Sequence, residues 1–329
     1  MSNFKIFDEY VLIISALWFI IEPIIKKFSK PERRENINYQ RKPGGGRKHK
    51  DLKKYLNTII YVNITGAQWN SVYPDKNGRL CSGKAAHRWH MKWSRNGFYR
   101  ELTRSILDFY NRIYGLKLKW CSIDGCLYKA PLGKEAVGKN PTDRGKNGTK
   151  RSIMVDEDGL PISFVHAGAN VHDSKLLNET LENIFITVLN DIIEKNICLD
   201  AAYVGDKCKK IVESYNFIGH VRPRGEEKKW LKSNPLHKAK RWVVERTNSW
   251  YKQFRKLHTR YEKTKLSHDS LAYVASTMIV ARTVFRSKES ANPWDFIAGN
   301  IRPDEELYSI IGEELKKYSR AINIKQYAA

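Results

Sequence analysis

The hydrophobic period of the chain changes after Leu116, and this change constrains the fold more than any other feature. Between residues 52 and 115, apolar residues recur at the three- and four-residue spacing of helices. Beyond Leu116 they alternate, first in "LKWCSIDGCLY" and then in "KRSIMVDEDGLPISFVHAG", where an Asp-Gly pair predicts a hairpin turn. A helical segment and a further strand, "NICLDAAY", follow. A hairpin followed by alternating helix and strand predicts a mixed α/β sheet covered by helices.

These patterns divide the chain into three predicted parts. Residues 1–115 form a helical N-terminal region, with a basic connector at 29–50 that contains a glycine triplet. Residues 116–286 carry the sheet, and residues 287–329 form a charged tail with one amphipathic helix. The apolar run at 10–25 is interrupted by a glutamate and a proline and is shorter than the ~20 residues that a bilayer span needs. It therefore predicts a core helix and no membrane association.

The charge of the chain predicts a polyanionic partner. There are 59 Lys and Arg residues against 35 Asp and Glu, which gives a formal net charge of +24. The cations are spread along the chain, and this favours nucleic acid over a membrane surface. In the connector, Arg47, Lys48 and Lys50 either follow DNA phosphates or are simply solvated. The helices of 52–115 form either a helix-turn-helix-like unit or a spacer without base contacts.

Cysteine usage bears on the compartment. The five cysteines are odd in number and include no CxxC pair. This pattern predicts reduced thiols in a cytoplasmic protein.

Two aspartates occupy unusual places in the sheet region. Asp124 lies inside the apolar strand "WCSIDGC", and Asp200 closes the apolar run "NICL". A lone carboxylate is costly in such places unless it is paired or bound to a cation, so both are candidate functional residues. Asp156 and Asp158 belong to the predicted turn, and Asp173 and Asp206 each precede a helical pattern as an N-cap would. Of these acids, Asp206 is the alternative to Asp200.

A third acid lies in the basic segment "KRWVVERTNSWYKQFRK", residues 240–256, where Glu245 is the only carboxylate. When residues 238–261 are placed on a helix, an apolar stripe forms on one side. Six residues then lie within about 80° of one another on the opposite side: Lys238, Arg241, Glu245, Ser249, Lys252 and Lys256. Glu245 therefore faces either solvent or a cleft, and in a cleft the neighbouring cations would hold phosphates.

Asp124, Asp200 and Glu245 together would suit hard divalent cations. Three carboxylates can hold two Mg²⁺ or Mn²⁺ ions, which prefer oxygen ligands and keep positions open for water and phosphate. Two ions about 3.5–4 Å apart can activate the attacking oxygen and stabilise the leaving oxygen of a phosphodiester. The residues alone thus predict a metal-dependent enzyme that acts on a polyanion.

Several motifs in order along residues 10–285 resemble a known family. They are "SIDGC", "CLDAAYVGD", "GLPISFVHAGANVHDS" and "RWVVERTNSWYKQFRKLHTRYEKT". The chain resembles DDE transposases of bacterial and archaeal insertion sequences, most closely the insertion sequence five group. Arg241, Glu245 and Lys252 match that group's Arg-x3-Glu-x6-Lys pattern. Lys238 departs from it, since the group has a tyrosine at that position.

The resemblance implies an RNase H-like catalytic domain that uses Asp124, Asp200 and Glu245 with two divalent metal ions. It also implies cleavage at transposon ends, followed by attack of the freed 3′-OH on target DNA. The implied partners are the terminal inverted repeats and target DNA, bound by a homodimer on paired ends in a prokaryotic cytoplasm. Lys252 and Arg241 would contact the terminal DNA, and Trp242 would stack on a flipped base.

Two other functions compete with this one. The first is a DNA-binding protein without catalysis, including a decayed transposase that represses its own element. The second is a metal-dependent nuclease that hydrolyses DNA without strand transfer. Joining of a DNA end to a second DNA distinguishes all three, because only the transposase forms that product.

Overall fold

The computed structural model of the protein describes residues 3–30, 51–186, 194–221 and 242–284. Its N-terminal part is helical, as predicted. The helices are α1 Asn3–Ala16, α2 Trp18–Ser29, α3 Leu52–Thr65, α4 Gly83–Arg95 and α5 Phe98–Tyr114. The apolar run at 10–25 forms parts of α1 and α2 and is largely buried in the core. Within the described ranges, no helix has the length and apolar character to cross a membrane.

Two glycines account for the ends of helices in this region. Gly66 follows α3 with a left-handed φ of 72°, and its N–H donates to the carbonyl of Val62. Gly97 separates α4 from α5 with a φ of 80°. Glycine reaches this backbone region without a Cβ clash, so both helix ends fall at a glycine.

Among the described residues, the sheet has six strands. They are β1 Trp120–Lys129, β2 Gly138–Lys139, β3 Asn147–Val155, β4 Pro161–Gly168, β5 Lys195–Leu199 and β6 Phe217–Val221. β3 pairs antiparallel with β1 and with β4, and the short β2 pairs with the beginning of β3. On the edge of β1 that faces away from β3, β1 pairs parallel with β5, and β5 pairs parallel with β6. The mixed sheet predicted from the sequence is therefore confirmed, with β1 between its antiparallel and parallel halves.

Five further helices complete the described chain: α6 Asp173–Glu182, α7 Asp206–Ser214, α8 Trp242–Lys252, α9 Arg255–His258 and α10 Lys265–Val284. Consecutive residues of β3 show that helices cover both faces of the sheet, because neighbouring side chains of a strand point to opposite faces. Ser152 accepts a hydrogen bond from Thr180 of α6, and Arg151 donates one to Asn248 of α8.

One hydrophobic core runs through the helical region and the sheet. Helix α10 joins them, because Thr277 hydrogen-bonds to Thr103 of α5 at 2.9 Å and His268 hydrogen-bonds to Tyr128 of β1 at 2.9 Å. The division of the chain at 115/116 remains a prediction. The predicted DNA contacts of Arg47, Lys48 and Lys50 in the connector, and the predicted helix of the tail at 287–329, lie outside the described residues.

The turn between β3 and β4 contains a buried acid. Asp156 is 1% exposed, and its Oδ1 accepts hydrogen bonds from the N–H groups of Asp158 and Leu160 at 3.0 and 2.7 Å. Burial raises the pKa of Asp156 to about 7, while the two backbone donors partly oppose this shift. The carboxyl group is therefore protonated in the folded state over a pH range in which the unfolded chain has already ionised it.

Asp156→Asn should make the unfolding free energy less sensitive to pH. The folded pKa exceeds the unfolded one, so the contribution of Asp156 is complete below about pH 4 and is lost as pH rises to about 7. The amide does not ionise, and we expect the stability of the variant relative to wild type to improve between pH 5 and pH 8. Urea unfolding across this range measures the difference. A difference that stays constant with pH would contradict the assignment.

Candidate active site

The register of two parallel strands brings the two candidate aspartates together. Ser122 of β1 pairs with Cys198 of β5; two residues further on, Asp124 lies within β1 and Asp200 directly follows the last residue of β5. Parallel neighbours point to the same face of a sheet, and adjacent strands lie about 4.8 Å apart. The two carboxylates therefore leave the same face of neighbouring strands, and both are half-buried.

The end of β5 holds Asp200 in place. Asp200 caps the short 3-10 helix Ala201–Tyr203, and its Oδ1 accepts a hydrogen bond from the N–H of Ala202 at 2.8 Å. An aspartate at such a cap satisfies a backbone donor that would otherwise lack a partner. The sequence "LDAAY" thus both ends the strand and fixes the orientation of the Asp200 carboxylate.

The third predicted acid lies on α8. Glu245 is exposed, and Asn248 follows it by three residues on the same face of the helix. The Nδ2 of Asn248 donates to Oδ2 of Asp124 at 3.3 Å. The turn of α8 that carries Glu245 is therefore attached to the strand that carries Asp124.

A buried arginine fixes Asn248. The Nη2 of Arg151 donates to Oδ1 of Asn248 at 3.0 Å, and its guanidinium lies 3.8 Å from the ring centroid of Tyr251. The hydroxyl of Tyr251 hydrogen-bonds in turn to Ser276 of α10 at 2.5 Å. Sequence reasoning predicted neither Asn248 nor Arg151. The local signal for Arg151 was its place, next to Lys150, in a segment that ends in apolar residues.

A second buried pair lies on the opposite face of β1. Gly125 follows Asp124, and a Cβ at this position would come within 2.0 Å of Oδ1 of Asp173. The other carboxylate oxygen of Asp173 accepts from Nζ of Lys150 at 3.1 Å, and the lysine side chain is 8% exposed. Asp173 was predicted as a helix cap, but His172 caps α6 and Asp173 is its first residue.

A buried phenol lies near all of these acids. Burial raises the pKa of Tyr203 well above its usual value, and the neighbouring charges of Asp173, Asp124 and Asp200 raise it further. Tyr203 is 1% exposed. It remains protonated at any working pH and adds no negative charge to the acids around it.

The family comparison covers this part of the chain. The family described as Transposase DDE domain matches residues 119–275, which include the strands, Asp124, Asp200 and Glu245. We refer to residues 119–275, which match this family model, as the DDE domain. The protein is therefore an enzyme of the DDE transposase type.

A curated relative agrees with this assignment. It is a candidate transposase of insertion sequence element IS402 from Burkholderia cepacia, 28% identical over 166 residues, which cover 48% of this chain and 74% of that protein. The more specific insertion sequence five group is not resolved by either comparison.

Solved structures of Mos1 transposase match at low similarity. The catalytic domain of Mos1 mariner transposase is 11% identical and covers 48% of this chain and 89% of that chain, with a TM-score of 0.21. The Mos1 paired-end complex with the left transposon end is 12% identical and covers 71% of this chain and 82% of that chain, with a TM-score of 0.24. Scores this low carry no information about the arrangement of the site.

The donor atoms of the DDE domain suit divalent cations, but its three acids are not gathered into a finished metal site. Within the described ranges, no three His, Cys, Asp or Glu side chains stand close enough to hold a metal ion. Carboxylates repel one another without a cation between them. The three acids supply only oxygen ligands, which Mg²⁺ and Mn²⁺ prefer.

The predicted phosphate contacts of the DDE domain differ in their exposure. Lys252 is exposed and lies two turns after Glu245 on the same face of α8. Lys256 does not share this face, because α8 ends at Lys252 and Lys256 belongs to α9. Lys256 is buried and pairs with Glu262 at 3.5 Å, so it does not lie on the exposed helix face expected for it, and its contact with DNA stays a prediction. Lys238 and Arg241 lie outside the described residues.

The predicted stacking residue lies on the flank of the same helix. Trp242 is 55% exposed, and the guanidinium of Arg246 lies 4.8 Å from its ring. The same guanidinium lies 5.0 Å from Trp250, which is half-buried against the core. The contact with Trp242 occupies part of an exposed ring, and stacking of Trp242 on a DNA base remains a prediction.

Gly125→Ala should destabilise the DDE domain. The added Cβ can be accommodated only if Asp173 moves, and that movement separates it from the buried Lys150. We expect a loss of about 1–3 kcal/mol of unfolding free energy, the usual cost of overpacking. Gly219→Ala in β6 is the matched control, because its Cβ would meet Val212 only at 3.3 Å. Equal urea midpoints for the two variants would contradict this role of Gly125.

Proposed function

We propose that the protein is the transposase of an insertion sequence of the insertion sequence five group. In this proposal it cleaves DNA at the ends of its element and joins the freed 3′-OH ends to target DNA. The observation that carries the proposal is the opposition of Asp124 and Asp200 on neighbouring parallel strands, with the helix of Glu245 attached to Asp124 through Asn248.

Asp124, Asp200 and Glu245 would hold two Mg²⁺ or Mn²⁺ ions, and DDE transposases as a class use divalent metal ions. Such ions, when bound, activate the attacking oxygen and stabilise the leaving oxygen of the phosphodiester. The chain's own contribution is to fix two carboxylates on the sheet and to present the third from α8. Lys252 on the same helix face would neutralise a phosphate beside the scissile bond, and Arg241 would act with it.

The proposed partners are the terminal inverted repeats of the element and the target DNA. A homodimer on paired ends would place one DDE domain at each end. Mos1 transposase forms a paired-end complex with its left transposon end, and this arrangement is extended to the present chain only as a proposal. The proposed location is the cytoplasm of a prokaryote, where the element's DNA is present.

We further propose that helix α4 contacts the DNA. Its exposed side carries Lys84, Arg88 and Arg95 at positions i, i+4 and i+11, which lie within about 40° of one another. Helix α4 contains no acidic residue, and within the described part of the chain these three cations have no ion-pair partner. Lys84 lies in the first turn, where the helix dipole disfavours a cation. A role in binding explains it better than a role in stability.

A buried series of hydrogen bonds and one ion pair connects α4 with Lys256 of α9, the short helix that follows α8. His90 of α4 hydrogen-bonds to Tyr99 at 2.9 Å and to Ser267 at 3.0 Å. Ser267 donates to Glu262, which pairs with Lys256 just after α8. Burial lowers the pKa of His90 to about 3, so the ring stays neutral and the chain stays intact at neutral pH. DNA bound along α4 would thus be held at a fixed distance from α8.

The experiment that tests the proposed function uses purified protein, Mg²⁺ and labelled duplexes carrying the element's own ends. A transposase yields cut ends that become joined to a second DNA. Cut ends without joined product would favour the nuclease, and a shifted band without either product would favour a DNA-binding protein without catalysis.

Asp124→Asn, Asp200→Asn and Glu245→Gln should each reduce Mg²⁺-dependent cleavage by orders of magnitude while DNA binding remains. Each change removes an anionic oxygen that the cations require but leaves the basic surfaces in place. Asp206→Asn at the exposed start of α7 is the matched control and should cleave like wild type. If Asp206→Asn and not Asp200→Asn abolishes cleavage, Asp206 takes the second position in the site.

Replacing Lys84 and Arg88 together by Gln should weaken DNA binding and lower its salt dependence. Each lost phosphate contact removes about 0.9 from the slope of log K against log salt concentration, so the double variant should lose about 1.8. Lys26→Gln is the control, because that exposed lysine pairs with Glu22 at 2.8 Å. Equal slopes for wild type and the double variant would remove α4 from the proposed DNA surface.

A further inference from the structure

We propose that Asn248 is a positioning residue that sets the orientation of Asp124 and its separation from Glu245, and that Arg151 determines which end of the Asn248 amide faces Asp124. This inference rests on the proposed metal-dependent function. It concerns residues that lie outside the three acids and outside the basic pattern of α8.

The direction of the amide follows from the chemistry of its neighbours. Arginine has only N–H donors, so the group that faces Nη2 of Arg151 must be an acceptor. That requirement places Oδ1 of Asn248 toward Arg151 at 3.0 Å and leaves Nδ2 to donate to Asp124. The amide therefore has one orientation that satisfies both neighbours, and Asp124 always receives a donor.

The position of Arg151 is fixed independently of Asn248. Its side chain is buried, at 2% exposure, and lies on the ring of Tyr251. Tyr251 is three residues after Asn248, so Arg151 contacts one turn of α8 at two points. Contact at two points fixes the rotation of α8 about its axis, and that rotation decides where Glu245 points.

The amide also separates a fixed cation from the proposed metal ligands. A direct pair between Arg151 and Asp124 would neutralise the carboxylate and compete with a divalent cation for it. Asn248 transmits the position of Arg151 through two hydrogen bonds and adds no charge of its own. Ligating carboxylates are commonly oriented by such hydrogen bonds, and loss of the partner typically lowers metal affinity 10–100-fold.

The test is calorimetric titration of the full chain with Mn²⁺, performed both alone and on a duplex carrying the element's end. We expect Asn248→Ala to weaken Mn²⁺ binding by about 10–100-fold. The metal-free melting temperature should fall, because the buried guanidinium of Arg151 loses its acceptor, so the titrations are performed well below that temperature. Asn178→Ala is the matched control, since Asn178 lies on the exposed side of α6 and donates to Glu182. Its Mn²⁺ affinity should equal that of wild type.

Arg151→Lys separates positioning from simple packing. Lysine keeps the charge but lacks the planar fork that both stacks on Tyr251 and donates to Asn248. If Arg151 acts through Asn248, Arg151→Lys weakens Mn²⁺ binding, and the double variant binds no more weakly than Asn248→Ala alone. If Asn248→Ala fails to fold, the Mn²⁺ affinity of Arg151→Lys alone tests the inference. Independent, multiplying effects of the two changes would overturn the inference.

The remaining outcomes separate this inference from the proposed function. Wild type that cleaves DNA with Mg²⁺, together with Asn248→Ala whose Mn²⁺ affinity lies within twofold of wild type, overturns the positioning role alone. Wild type that binds no Mn²⁺ in either condition overturns the proposed metal-dependent function and the inference with it.

Discussion

The pairing of β1 with β5 determines where the chemistry of this protein can occur. β1 is the only described strand with an antiparallel neighbour on one side and a parallel neighbour on the other. Successive side chains of a strand alternate between faces, so a slip of one residue would move Asp124 to the face of Gly125. The parallel ladder that sets Ser122 opposite Cys198 prevents that slip and brings the aspartates of two distant segments to one edge of the sheet.

The helix that carries Glu245 depends on a second constraint, which comes from the turn between β3 and β4. Thr247 donates to the carbonyl of Gly159 at 2.6 Å, and Arg246 donates to the carbonyl of Asp158 at 2.6 Å. Gly159 has a φ of 85°, and a Cβ there would lie 2.8 Å from the hydroxyl of Thr247. The glycine that makes the hairpin therefore also allows α8 to approach the sheet. The same residue serves the local turn and the placement of a distant helix.

Local sequence patterns predicted the elements but not the contacts between them. The hairpin, the strands of Asp124 and Asp200 and the helix of Glu245 follow from hydrophobic period and turn residues, which act over a few positions. Asn248 and Arg151 are 97 residues apart, and the local sequence around either residue does not predict their hydrogen bond. Lys256 was assigned to the wrong helix face for a related reason. The helical sequence pattern continues past Lys252, but the helix itself ends there and Lys256 lies in α9.

The cations of β3 give the site its remaining electrostatic support. Lys150 and Arg151 are consecutive and therefore point to opposite faces of the sheet. Buried charges are costly without partners, and each has one on its own face: Asp173 for Lys150, and the amide of Asn248 for Arg151. The strand segment of Asp124 and Gly125 thus has a cation on either side of the sheet. Both cations are too buried to reach DNA, so their effect falls on their own partners. Lys150 holds Asp173 against Gly125, and Arg151 holds the amide that donates to Asp124, so β3 supports this strand segment on both faces of the sheet.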